Sequence, residues 1–175
     1  MCIGAAGGDL EMHEAGKPPK MRQNGHMPGR IVVGIDGTDH AAAALRWAAE
    51  EAALRSATLV AVHAWSFVPV TTPADSGLVP MAWTEGVELL DASRAGAERV
   101  AAEQVREVLG EEHDVVVKLV EGAPAAVLRE AAEDADLLVV GNQGRGNLAS
   151  ALLGSTSAEV ADSAPCPVVI VRAPD

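Results

Sequence analysis

Ile31-Val32-Val33-Gly34-Ile35 is a continuous apolar run that stops at Asp36-Gly37-Thr38. A strand with one wet face would alternate polar and apolar residues, so the unbroken run predicts a strand buried on both faces, as in parallel sheets. Thr38 or Asp39 can cap a following helix whose apolar face is Leu45, Ala48, Ala49 and Ala52, with Glu51 and Arg55 paired at i,i+4 on its outside. The pattern then recurs. Thr58 to Ala64, Val115 to Val120, Leu137 to Val140 and Val168 to Val171 read as further strands. Gly86 to Leu109 has helical spacing through Leu90, Ala97, Ala101, Val105 and Val108. Ala123 to Glu133 reads as a short helix with Pro124 in its first turn, and Thr156 to Ser163 as another. Five strands alternating with four helices predict an α/β fold: an open, doubly wound parallel sheet with helices on both faces and right-handed crossovers. Ligands of such sheets sit beyond the carboxyl ends of the strands, where strand order reverses.

The chain has 175 residues, the size of one domain. Its 49% hydrophobic and 22% charged composition supports one substantial core and excludes global disorder. Twenty-five acidic against 13 basic residues give a net charge of −12. That charge opposes a nucleic-acid backbone or an anionic membrane surface, and no basic patch offsets it. With aromatics at 2%, the stacking platforms of single-strand binders and flavin sites are nearly absent. A ligand must be held mostly by backbone and aliphatic groups. No apolar run approaches the roughly 18 to 20 residues that span a bilayer, and Met1 to Arg30 is too rich in glycine and charge for a signal peptide. The expectation is a cytoplasmic protein without nucleic-acid or membrane partners. Cys2 and Cys166 indicate neither a disulfide scaffold nor a zinc site, and Cys166 reads as a small buried hydrophobe.

Residues 1–29 lack apolar periodicity and are expected to form a disordered extension, leaving 30–175 as the folded domain. Met27 stands just before the first predicted strand as an alternative start, which an intact-mass measurement on the native protein would decide. Ser66 to Glu85 contains Pro69, Pro73 and Pro80 and is long for a connection in a compact domain; it is either a lid or a disordered surface loop.

Two strand ends carry the candidate site. At the first, Asp36 leaves the strand between Gly34 and Gly37, where its carboxylate either accepts hydrogen bonds from a ligand or joins Thr38 in capping the next helix. At the other, the fourth predicted strand runs into Gly141-Asn142-Gln143-Gly144-Arg145-Gly146-Asn147, and Gly154-Ser155-Thr156-Ser157 follows. The glycines allow turns at positive φ that aim successive N–H groups at an anion. Gly154 precedes a helix N-terminus, itself an anion cradle, and Thr156 with Glu159 has capping-box spacing. Known phosphate motifs fail here. No Lys-Ser or Lys-Thr pair follows a glycine at the Walker offset, and the first strand gives Gly34-x-x-Gly37 instead of the dinucleotide fingerprint. A receiver domain fails as well, since the third predicted strand ends in Val120-Glu121 and the fifth in Arg172-Ala173.

Gly141-x-x-Gly144, nine intervening residues and Gly154-Ser155 resemble the ATP-binding signature of the universal stress protein family. Arg145-Gly146-Asn147-Leu148 and Leu152-Leu153-Gly154-Ser155 are similar to its flanking residues. So are Ile31 to Gly37, Val62-His63-Ala64-Trp65 and Cys166-Pro167-Val168-Val169-Ile170-Val171, and the resemblance covers Arg30 to Arg172. It implies an adenine-nucleotide α-hydrolase-like fold with sheet order 3-2-1-4-5. It also implies where ATP would lie: Gly34, Ile35 and Asp36 bordering the adenosine, Ala64 touching the adenine through its backbone, and Val140 and Gly141 flanking ribose and base. Gly144, Gly154, Ser155 and Thr156 would hold the phosphates, with magnesium left open. A homodimer through Val168 to Val171 is implied too, in keeping with a flat apolar edge strand.

Efficient phosphoryl transfer needs a metal-positioning acid, a cation on the moving phosphate and an in-line base. Only Asp36 and Ser155 or Thr156 offer such groups, so no catalytic residue and no metal ligand is assigned. Arg145 either screens phosphate or faces solvent; His63 reads as a half-buried strand-end residue and His40 as a helix-start residue. The expectation is an ATP-binding regulatory protein of the stress response, with hydrolysis or autophosphorylation slow at most. The alternatives are a nucleotide-independent dimeric scaffold of the same fold or a cyclic-AMP-binding member.

Overall fold

The computed structural model describes residues 10–12, 29–66, 83–111, 113–144 and 153–173. In chain order the elements are β1 (Leu10–Met12), β2 (Arg30–Ile35), α1 (Asp39–Arg55), β3 (Thr58–Trp65), α2 (Trp83–Leu109), β4 (Val115–Glu121), α3 (Pro124–Ala131), β5 (Leu137–Gly141), α4 (Ser155–Ser163) and β6 (Val168–Val171). They build one sheet in the order β1-β4-β3-β2-β5-β6. The five strands from β2 onward are parallel and keep the predicted 3-2-1-4-5 arrangement.

The unbroken apolar run in β2 follows from its central place. Ile31, Val33 and Ile35 face one core with Leu45 and Ala48 of α1 and Ala101 and Val105 of α2. Val32 faces the other, with Val60 and Val62 of β3, Val127 and Leu128 of α3 and Val160 of α4. Ile31, Val32 and Val33 are fully buried, which removes the polar alternation that an exposed face would impose. Helix α1 begins where Thr38 caps it: the side chain accepts from Ala41 N at 3.2 Å. Glu51 and Arg55 pair on its outer side as expected.

Strand β2 is the topological switch point. It stays paired with β3 as far as Ile35 opposite His63, whereas its pairing with β5 ends at Val33 opposite Val139. Beyond Val33 the two strands part, and a crevice opens at their carboxyl ends.

Three expectations need correction. Residues 1–29 are not wholly an unstructured extension, because Leu10–Met12 pairs antiparallel with β4, placing Leu10 opposite Leu119 and Met12 opposite Val117. An open edge strand presents unpaired N–H and C=O groups, and even three extended residues can satisfy them. Helix α2 begins at Trp83, so the stretch expected to be a loop through Glu85 ends earlier. Its lid reading falls on 67–82, outside the described residues. His63, expected to be half-buried, is 1% exposed because helices pack on the faces of β3.

Candidate functional site

A cavity of about 300 Å³ fills the crevice, at the small end of the range for small-molecule sites. Every residue predicted for the site lines it: Gly34, Ile35 and Asp36 from the end of β2, Ala64 from β3, and Val140, Gly141 and Gly144 from β5 and the turn after it. Gly154, Ser155 and Thr156 come from the start of α4. Residues 145–152, including Arg145, lie outside the described residues.

Each wall has a local cause. Gly34 leaves room for Leu128, since a β-carbon there would stand 3.0 Å from Leu128 Cδ1. Leu128 thus leans over the end of β2 and closes the apolar side with Val62, Pro124 and Val140. Gly141 admits the start of α1: a β-carbon would lie 2.8 Å from the backbone carbon and oxygen of His40. Gly154 packs on the turn after β5, 3.2 Å from Gln143 Cα by the same measure, and donates its N–H to Asn142 O at 2.8 Å. The expected positive φ does not occur at Gly141, Gly144 or Gly154. At Gly141 and Gly154 the glycine is required for close approach instead; the left-handed turn falls at Gly37, with φ of 85°.

Helix α4 has Gly154 as its N-cap with no side-chain cap, and its ladder begins with Ala158 N donating to Gly154 O at 2.9 Å. The Thr156–Glu159 capping box expected from the sequence is therefore not formed. Thr156 already lies inside the helix, and the cap position has no hydroxyl. The first amides of α4 stand at the cavity with the positive end of the helix dipole behind them. Ser157 is turned away from this task, its buried hydroxyl donating to Gly141 O at 2.6 Å and tying α4 to the end of β5.

Asp36 is held from the opposite side. Its Oδ1 accepts from Thr38 N at 3.0 Å and Thr38 Oγ1 at 2.6 Å, so the carboxylate organises the turn while the residue still lines the cavity. The two sequence readings of Asp36 and Thr38, ligand contact and helix cap, are thus compatible. Asp36 is the one charged side chain among the described lining residues. Sequence reasoning missed Ala41, Val62, Pro124, Leu128, Gln143, Leu153 and Ser157. Strand register alone would have found Val62, which pairs with Gly34, and helical spacing joins Leu128 to Pro124 one turn earlier.

A doubly wound parallel sheet with its cleft at the switch point gives the protein the α/β nucleotide-hydrolase-like fold of its solved neighbours. Residues 27–172 match the profile of the universal stress protein family. The chain belongs to that family. It is 35% identical over 147 residues to a universal stress protein of Mycolicibacterium smegmatis, covering 83% of this chain and 48% of the relative. The chain spans about half the length of the curated relatives it matches. Among solved structures it superposes on the universal stress protein UspA from Lactobacillus plantarum with a TM-score of 0.65 and 28% identity, covering 82% of this chain and 97% of that one. A universal stress protein solved in complex with cAMP superposes with a TM-score of 0.56 and 32% identity, covering 83% and 98%.

Proposed function

We propose that the switch-point cavity binds an adenine nucleotide, ATP first among them, and that occupancy regulates the shape or partner affinity of a stress-response protein in the cytoplasm. The observation that carries this reading is the convergence at one cavity of Asp36, the Gly141–Gly144 turn and the uncapped start of α4. The remaining wall, built from Val62, Ala64, Leu128 and Val140, offers an apolar face to a base. The chemistry fits a nucleotide: an aliphatic slot for the adenine, a carboxylate that can accept from a hydroxyl, and backbone amides for phosphate. On this reading Gly34, Ile35, Asp36 and Ala64 take the adenosine side, Val140 and Gly141 flank it, and Gly144, Gly154, Ser155 and Thr156 take the phosphates.

Turnover is slow or absent in this proposal. Among the described lining residues no lysine or arginine reaches the phosphate end, and efficient phosphoryl transfer depends on such a cation and an in-line base. Strand β6 stands at the sheet edge with all four residues half-buried, which suits a homodimer built through it. A monomeric mass at micromolar concentration would remove the dimer.

Calorimetric titration with ATP, with and without magnesium, tests the reading. Micromolar binding supports it; silence from folded, nucleotide-free protein moves the assignment to a scaffold of the same fold. Cyclic AMP belongs in the same titration as competitor, because a relative 32% identical is solved with it bound. Tighter binding of cyclic AMP than of ATP would make this a cyclic-nucleotide protein.

A further inference from the structure

We propose that Gln104, on α2 and outside the cavity, is a positioning residue for the ligand of this site, acting through Gly37 and Thr38 on Asp36. The proposal rests on the nucleotide-binding reading above.

Gln104 is a polar side chain 5% exposed, in a helix face otherwise built from Ala97, Ala101 and Val105. Both polar atoms of its amide bond one turn of backbone far away in the chain. Oε1 accepts from Gly37 N at 2.8 Å, and Nε2 donates to Thr38 O at 2.9 Å. The amide therefore pairs with the turn as a neighbouring strand would, and it fixes the two groups in opposite senses. Val100, one helical turn earlier, presses on the same spot: a β-carbon at Gly37 would stand 2.8 Å from Val100 Cγ1. The left-handed turn is clamped by two hydrogen bonds from α2, and the same helix leaves no room there for a side chain.

The consequence reaches the cavity through Thr38. Its carbonyl takes both the Gln104 amide and Ala42 N, and its N–H and hydroxyl both bond Asp36 Oδ1. The Gly37 N–H and Thr38 C=O held by Gln104 flank the Gly37–Thr38 peptide, whose N–H bonds Asp36, so displacing the turn disturbs the Gln104 pair and the Asp36 bonds together. A helix interior does not need a buried glutamine for its own sake, because burying an amide costs free energy unless every polar atom is paired. Gln104 has the two partners that orient the one charged residue in the described cavity wall.

The test is a double-mutant cycle read by ATP affinity. Gln104→Met keeps the length of the side chain and loses both hydrogen bonds; Asp36→Ala removes the group it is argued to act through. We expect Gln104→Met to weaken ATP binding about tenfold in the wild-type background and less than about twofold when Asp36 is already alanine, the non-additivity of residues acting as a unit. Thermal melting of each free protein runs beside the cycle, and affinity is measured well below the lowest midpoint so that only folded protein is compared. Equal losses in both backgrounds, or a lowered melting temperature with unchanged affinity, would overturn the positioning role. Wild-type protein that binds no nucleotide would instead sink the reading on which it rests, and this inference with it. If Gln104→Met does not fold, Gln104→Glu replaces it in the same cycle: it retains the acceptor for Gly37 N–H and sets a carboxylate oxygen against the Thr38 carbonyl.

Discussion

A β-carbon at Gly144 would stand 3.0 Å from Oδ2 of Asp36, so the turn after β5 and the end of β2 meet across the mouth of the cavity with room for a hydrogen and little more. Gly144 is exposed and has an ordinary backbone, so nothing in the fold itself demands glycine. Gly144→Glu is expected to weaken ATP binding at least tenfold, about 1.4 kcal/mol, by filling that gap and opposing a second carboxylate to the first. Because the site is on the surface, stability should change by no more than about 0.5 kcal/mol. Titration calorimetry and a urea melt on one preparation check both halves; retained affinity would take Gly144 out of the site.

The contact between α4 and β5 behaves oppositely. Ser157 is 4% exposed and donates to Gly141 O at 2.6 Å, so Ser157→Ala leaves a buried carbonyl without that partner. The expected loss is about 1 to 3 kcal/mol, seen as a lower urea midpoint at unchanged slope. Gly141→Ala should cost a similar amount, about 1 to 3 kcal/mol, for a different reason: the new methyl overpacks against His40 backbone. Stability within error of the wild type in either variant would contradict the tight junction between β5, α1 and α4.

The fold was legible because β2 is buried on both faces and wrote that burial into an unbroken apolar run, with largely apolar runs marking the four other parallel strands. Strand ends carrying Asp36 and Gly141, with Gly154 at the start of α4, then located the site. Periodicity could not show which glycines bend and which yield space. Gly37 has the left-handed backbone while Gly141 and Gly154 accommodate neighbours brought from elsewhere in the fold. Gln104 was hidden for the same reason. Its partners lie on a turn 67 and 66 residues away in the chain, and a polar residue on a helix otherwise reads as solvated. The capping box failed because its spacing matched two residues too late: Gly154, not Thr156, occupies the cap. Strand β1 was missed because three residues are too few for a period to declare itself.

Cys166 gives a pH signature. Burial pushes its thiol up from the ordinary range, Leu138 backbone hydrogen bonding lowers it, and the nearby Asp136 carboxylate raises it again. The folded state thus favours the neutral thiol, so its contribution to stability is present below the ordinary thiol range and is lost as pH rises through the higher folded value. In a Cys2→Ser background, alkylation by iodoacetamide at pH 8 should be slower than for the urea-unfolded chain and should accelerate above pH 9. A folded-state rate at pH 8 equal to that of the unfolded chain would contradict the upward shift.

The pairing of β1 with β4 can be tested by removing residues 1–28. Three residues gain a few backbone hydrogen bonds worth about 0.5 to 1.5 kcal/mol each, and ordering them costs about 1 to 2 kcal/mol per residue, so the terms nearly cancel. Global stability should therefore hardly move on truncation. The edge itself should change. Amides of Val117 to Leu119, opposite Leu10–Met12, should exchange faster with solvent deuterium, while those of central β2 keep their protection. The uncovered β4 would then present its open backbone groups at the opposite end of the sheet from the edge at β6, and concentration-dependent association should rise. Unchanged exchange across Val117 to Leu119 would show that β1 does not protect that edge, and unchanged association would show that its pairing is not what keeps β4 from recruiting a second chain.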